Sequence, residues 1–164
     1  MGRIDDILTD GQLQMLRADY NEDEMIQLLS SGIPGIDKRT TDFVTAIRRS
    51  FYGRETYFFP GGEQAMSAKD RERCLIAVLA SRDAGLNLAL HIYNGLMAEL
   101  SPQEIADIIF LCGVYTGVDR ISDGLWAEER TLQALKRIAV PPLLCSVGNV
   151  VPALVAAFRP PPPH

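Results

Sequence analysis

The chain has 164 residues, long enough for one globular domain with a real core and too short for a fibre, a repeat array or a multidomain assembly. At 47% hydrophobic and 23% charged residues it lies outside the disordered class. Its formal net charge of −5 is confined to residues 1–36, where Arg3 and Arg17 face Asp5, Asp6, Asp10, Asp19, Glu22, Asp23 and Glu24; this acidic arm on a neutral body offers no basic stripe for nucleic acid or an anionic membrane. Hydrophobic period and cap signals predict helices almost throughout, and no run of four or more residues alternates as a half-buried strand would. The reading is all-α, a single domain over 1–164, with acidic helices at 1–36, a helical core at 37–139 and an apolar, then Pro-rich, tail at 140–164.

In chain order, Leu13, Leu16 and Tyr20 share one helix face. A second short helix follows Asn21, which caps it while Glu24 completes a capping box, and Gly32 and Pro34 stop it. Phe43, Ile47 and Phe51 mark a helix from near Thr40 to Gly53, and Arg54–Gln64, with Tyr57, Phe58 and Phe59, forms an aromatic loop that acts as a lid over the core. Ser67 and Asp70 open a helix that is largely apolar in its C-terminal half. Asp83 caps the next helix, about 84–98. Ser101, Pro102 and Glu104 give the clearest start in the chain, with N-cap, N1 proline and N3 acid together. Gly113 and Gly117 loosen that helix, and a long final helix carries Leu125, Leu132, Leu135 and Ile138 to the break at Pro141 and Pro142. Val140–Phe158 has 19 residues without a charge, yet Pro141, Pro142 and Pro152 argue against a membrane span and for packing on this or a neighbouring subunit.

Cys74, Cys112 and Cys145 are odd in number and form no CxxC pair; they read as buried thiols of a reducing compartment, with neither a disulfide frame nor a zinc site. MGRIDDILTD places two aspartates where a signal peptide has its apolar stretch, so the expected location is cytoplasmic.

Of two histidines, His164 lies in the proline-rich tail, which leaves His91 as the candidate imidazole. At helical spacing it shares a polar stripe with Asn87 and Asn94 inside an apolar segment. The stripe reads either as a core or interface histidine satisfied by amides, or as an acid–base group whose tautomer the amides hold. Glu72, in the helix opened by Ser67, is either a solvated helix-start acid or, if it points inward, the carboxylate of an acid–base pair. Tyr115 and Asp119 offer a hydroxyl and a carboxylate nearby in sequence, and Arg54, Arg82 and Arg120 offer guanidinium groups for a substrate carboxylate. No second histidine stands at ligand spacing, so no metal is expected, and no phosphate loop or nucleophile elbow is present.

Ser67-Ala68-Lys69-Asp70-Arg71-Glu72, the apolar helix after it, His91, Leu100-Ser101-Pro102-Gln103-Glu104-Ile105 and Val114-Tyr115-Thr116-Gly117-Val118 together resemble the carboxymuconolactone decarboxylase family over about residues 67–126. The resemblance implies an all-helical, alkylhydroperoxidase D-like fold whose helices pack across subunits in a ring, as a homohexamer or homotrimer, with the acidic arm and apolar tail wrapping neighbours. In the branch similar to alkylhydroperoxidase D, a CxxC pair works with a glutamate and a histidine. Here the glutamate matches Glu72 and the histidine matches His91, but Ala84 and Asn87 stand at the cysteine positions, so thiol peroxidase activity is not expected. The other branch decarboxylates a lactone without a redox cofactor. By this resemblance the chain is expected to be a cofactor-free lyase or isomerase acting on a small carboxylated or enolisable compound, with His91 and Glu72 catalytic and Asn87, Asn94 and Tyr115 in support. Tyr115-Thr116-Gly117-Val118-Asp119 departs from the family's Tyr-x-Gly-x-Pro. A homo-oligomeric binding protein that kept the fold without catalysis is the alternative.

Overall fold

The computed structural model describes residues 4–31, 39, 42, 67–82, 85–140 and 145–159. Among these, every regular element is helical: a 3-10 turn at Ile4–Asp6, then α1 (Asp10–Ala18), α2 (Glu22–Ser31), α3 (Ala68–Ala80), α4 (Leu86–Met97), α5 (Pro102–Thr116), α6 (Val118–Ile138) and α7 (Val147–Ala157). The helix expected near Thr40 to Gly53, the aromatic loop with Phe58 and Phe59, Arg54, and the stops at Gly32 and Pro34 fall outside the described residues.

Local chemistry sets most boundaries. The Ser67 hydroxyl accepts from Asp70 N at 3.1 Å to start α3. At α5, Ser101 Oγ accepts from Glu104 N at 3.0 Å while Glu104 Oε2 accepts from Ser101 N at 2.8 Å, with Pro102 at the first helical position. That backbone N–H, helped by Arg73 and Lys69, pulls the Glu104 carboxyl down to about 2. Asn21 Oδ1 accepts from Asp23 N and Glu24 N, but Glu24 does not close the box; its Oε1 accepts from Gly148 N at 3.1 Å and ties α2 to α7. Helix α4 starts at Leu86 with Gly85 as an N-cap that supplies no side chain, and Asp83, its expected cap, is outside the described residues. A capping box at Thr9 and Gln12, absent from the sequence reading, opens α1.

Two glycines do other work than loosening a helix. Gly113 remains inside α5, where a Cβ would collide with Ile121 of α6, and a Cβ on Gly124 would come within 2.5 Å of Ile109 Cγ2; both let α5 and α6 pack at backbone contact. The break comes at Gly117, whose φ of +125° suits a residue without a Cβ and separates the two helices.

One core draws on Leu16, Met25, Ile76, Leu88, Ile92, Leu96, Ile105, Leu132, Leu135, Val150 and Leu154, so every described α-helix contributes to it. Helix α3 lies along α4 and α5, α5 along α6, and α6 against α4 and α7. The sequence reading ended its helices at Ile138, whereas α7 follows and buries Val147, Val150, Val151, Leu154 and Val155 against α6, α2 and α4 of the same chain. No described helix is long and apolar enough to cross a membrane.

Candidate acid–base site

Helix α3 turns Glu72, Ile76 and Ala80 inward on a single i, i+4, i+8 stripe. On α4, Gly95 lies beneath that stripe: a Cβ there would be 3.0 Å from Ile76 Cδ1 and 3.8 Å from Glu72 Cβ, so the missing side chain lets the two helices approach. His91 stands one turn before Gly95 and faces the same seam. Its Nδ1 lies 2.8 Å from Glu72 Oε2, with the Glu72 side chain 1% exposed and the His91 side chain 20% exposed. Glu72 therefore points inward, as the acid–base alternative requires. When Nδ1 carries the proton it donates to Glu72, and Nε2 is then the ring nitrogen with a free lone pair.

The second oxygen of Glu72 has its own partner. Arg71 Nε donates to Oε1 at 3.4 Å, and Arg71 Nη2 reaches Glu22 Oε1 of α2 at 3.3 Å. The chain of charges thus runs Glu22, Arg71, Glu72, His91, beginning on the acidic arm and ending on the imidazole.

The expected supporting residues do not gather at the ring. Asn87 is exposed on the opening turn of α4. Asn94 is buried, but its Oδ1 accepts from Tyr20 Oη at 3.4 Å, so it ties α4 to the end of α1 and does not hold the imidazole. Tyr115 is 84% exposed, standing with Phe110, Leu111, Val114 and Val118 in an apolar outer face. A helical stripe fixes the azimuth of a side chain about its own axis, while its partner depends on which helix lies opposite; that explains why the amides were misassigned. Arg82 and Asp119 are exposed and Arg120 is half-buried.

The thiols also depart from expectation. Only Cys145 is buried; Cys74 is exposed, and Cys112, half-buried, donates through Sγ to Ala77 O at 3.0 Å. Among the described residues no group of three or more side chains has metal-ligand geometry.

Two buried polar groups without a hydrogen-bond partner escaped the sequence reading. Glu128 on α6 is 0% exposed and neither carboxyl oxygen has a hydrogen-bond partner; burial, with Asp5 and Asp107 adding repulsion, pushes its carboxyl up to about 9. It sits three residues after Leu125 and four before Leu132, and that place on the apolar stripe was the available signal. Tyr93 Oη is likewise unpartnered, and burial raises its phenol above the usual range. A groove of about 790 Å³ lies apart from His91, lined by Ile4, Ile7, Ala106, Leu125, Trp126 and Lys136 among others.

Residues 48–129 match the carboxymuconolactone decarboxylase family. The chain belongs to that family. The match contains both His91 and Glu72 and extends past both ends of the stretch read from motifs, while Glu22, α1, α2 and α7 lie outside it. No curated protein and no solved structure matches the chain. Family membership and the all-helical architecture agree, and together they support a decarboxylase-like or alkylhydroperoxidase-like protein.

Proposed function

We propose that this member of the carboxymuconolactone decarboxylase family is a cofactor-free lyase or isomerase acting on a small carboxylated or enolisable compound. The observation that carries the reading is the 2.8 Å contact between His91 Nδ1 and the buried Glu72 carboxyl. Loss of carbon dioxide from an unsaturated or β-keto acid leaves the electron pair of the broken bond delocalised as an enolate. A proton must then reach carbon. In this reading His91 delivers it from Nε2, and Glu72 offsets the charge on the ring while the imidazolium exists. Proton transfer of this kind asks for no redox cofactor, and with Ala84 and Asn87 at the family's cysteine positions the thiol chemistry of the other branch is not proposed.

The same reading places the protein in the cytoplasm with itself as its only macromolecular partner, as a homohexamer or homotrimer. The exposed apolar face of Phe110, Leu111, Val114, Tyr115 and Val118 supports self-association, since residues of this kind clustered in water mark contact surfaces. That face also favours a second reading, a homo-oligomeric binding protein without catalysis, because it puts Tyr115 in solvent and away from a supporting role.

The test is carbon dioxide release and ultraviolet turnover on gamma-carboxymuconolactone and a panel of β-keto and unsaturated lactone acids. Wild type is compared with His91→Ala and Glu72→Gln. Turnover abolished by both substitutions in folded protein is the expected result. No turnover by wild type across the panel would favour the binding role, and turnover indifferent to His91→Ala would overturn the assignment of the site.

A further inference from the structure

We infer that Arg71 is a positioning residue for the His91–Glu72 pair, and that the N-terminal arm tunes the pair through Glu22. This rests on the acid–base reading of that pair. Glu72 has two oxygens and two competing partners: His91 Nδ1 at 2.8 Å on Oε2 and Arg71 Nε at 3.4 Å on Oε1. Arg71 is in turn shared, since Nη2 meets Glu22 Oε1 at 3.3 Å. The Arg71 side chain is 13% exposed and that of Glu72 1%, so the contact between them is weakly screened, whereas Glu22, at 48%, faces water. Neighbouring donors on one carboxylate divide its charge between them. The more Arg71 gives to Glu72, the less negative charge remains for a protonated His91; the more Glu22 draws Arg71 away, the more remains.

Several other charged groups on the surrounding helices meet partners away from the pair. From α5, Glu104 is held by Arg73 and Lys69 at the start of α3. From α1, Arg17 donates to Leu96 O and Leu100 O at the far end of α4. From α6, Glu128 has no hydrogen-bond partner; burial, with repulsion by Asp5 and Asp107, leaves it neutral at ordinary pH. Helix α7 has no charged residue, and α4 has none besides His91. Among the described residues Arg71 and Glu22 thus form an electrostatic route into the pair, and Glu22 lies outside the segment that matches the family.

The opposing pulls give variants of opposite sign. Arg71→Met removes a nearby cation and leaves the whole carboxylate to the ring, so the titration midpoint of the His91 ring proton, followed by NMR, moves to higher pH by about one unit. Glu22→Gln frees Arg71 for Glu72 and moves the midpoint the other way by a smaller amount that salt diminishes. The double variant Arg71→Met with Glu22→Gln matches Arg71→Met alone, and Arg71→Lys restores most of the wild-type midpoint by restoring the charge. With a substrate in hand, the pH–rate profile shifts in the same senses. Because the ring titration needs no turnover, it stands even if the substrate panel is silent. Should Arg71→Met fail to fold, Glu22→Gln and Arg71→Lys carry the same test. Shifts of equal sign in the two single variants, no shift in either, or an undiminished effect of Glu22→Gln in the Arg71→Met background would overturn the inference.

Discussion

Helix α3 and helix α6 each carry a carboxyl group out of water, and the two groups meet opposite surroundings. Glu72 has an imidazole on one oxygen and a guanidinium on the other. Glu128, one turn beyond the glycine that presses against Ile109, has nothing on either oxygen and is held up at about 9. Burial alone thus distinguishes neither. The first is joined to a ring that still reaches the surface, whereas the second is a neutral acid at ordinary pH and a cost to the fold.

The sharpest way to break that contrast is through turnover. His91→Ala or Glu72→Gln is expected to lower the rate by about 10²–10⁴ on a responsive substrate, while Glu128→Gln leaves it near wild type. If Glu128→Gln were as damaging as Glu72→Gln in steady-state assays of folded protein, the two carboxyls would not be separable in the way proposed.

Stability sharpens the contrast from the other side. Because the folded value of Glu128, about 9, lies above the ordinary 4.5, the folded chain binds this proton more tightly than the unfolded chain does. Its contribution is most favourable below the ordinary value and is lost as pH rises towards the folded one. Urea unfolding of wild type is expected to show a loss on the order of 4 kcal/mol between about pH 5 and about pH 8, and Glu128→Leu is expected to remove that slope and gain stability at the upper pH. A wild-type slope that survives in Glu128→Leu would show that another group titrates.

Smaller effects probe the framework that holds each carboxyl. Gly113→Ala forces a methyl into Ile121, and overpacking of this kind costs about 1–3 kcal/mol in thermal or chemical melts. Ser101→Ala removes the hydroxyl that caps α5, with an expected loss of about 1 kcal/mol. Were Gly113→Ala neutral, the α5–α6 contact would be looser than the structure has it.

What could be read from the sequence divides along the same line. The Ser67, Asn21 and Ser101 caps were legible because each bond closes within three residues, so the signal is local. His91 and Glu72 were found as candidates, but the facing of Glu72 depends on α4 lying across α3 with Gly95 between them, a relation no short window contains. Asn94 was assigned to the wrong partner because Tyr20 comes to it from 74 residues away. The thiols were read as buried from residue type alone, and Cys74 shows that type gives a preference and no position. The tail was legible as apolar and broken, yet its helix was missed because Pro152 was taken as an interruption where the chain continues through it.

The bond from Gly148 N to Glu24 Oε1 joins residues 124 positions apart, and Gln12 Nε2 reaches Ala139 O across 127. Contacts of such sequence separation form late, since the loop they close is expensive until the intervening chain has collapsed. During synthesis the acidic arm emerges well before α7, so these two bonds close only once the last helix has been made, whereas Arg17 meets Leu96 O and Tyr20 meets Asn94 earlier in the chain. Glu22 belongs to the same arm, yet its contact with Arg71 closes over a shorter span of 49 residues and asks nothing of α7.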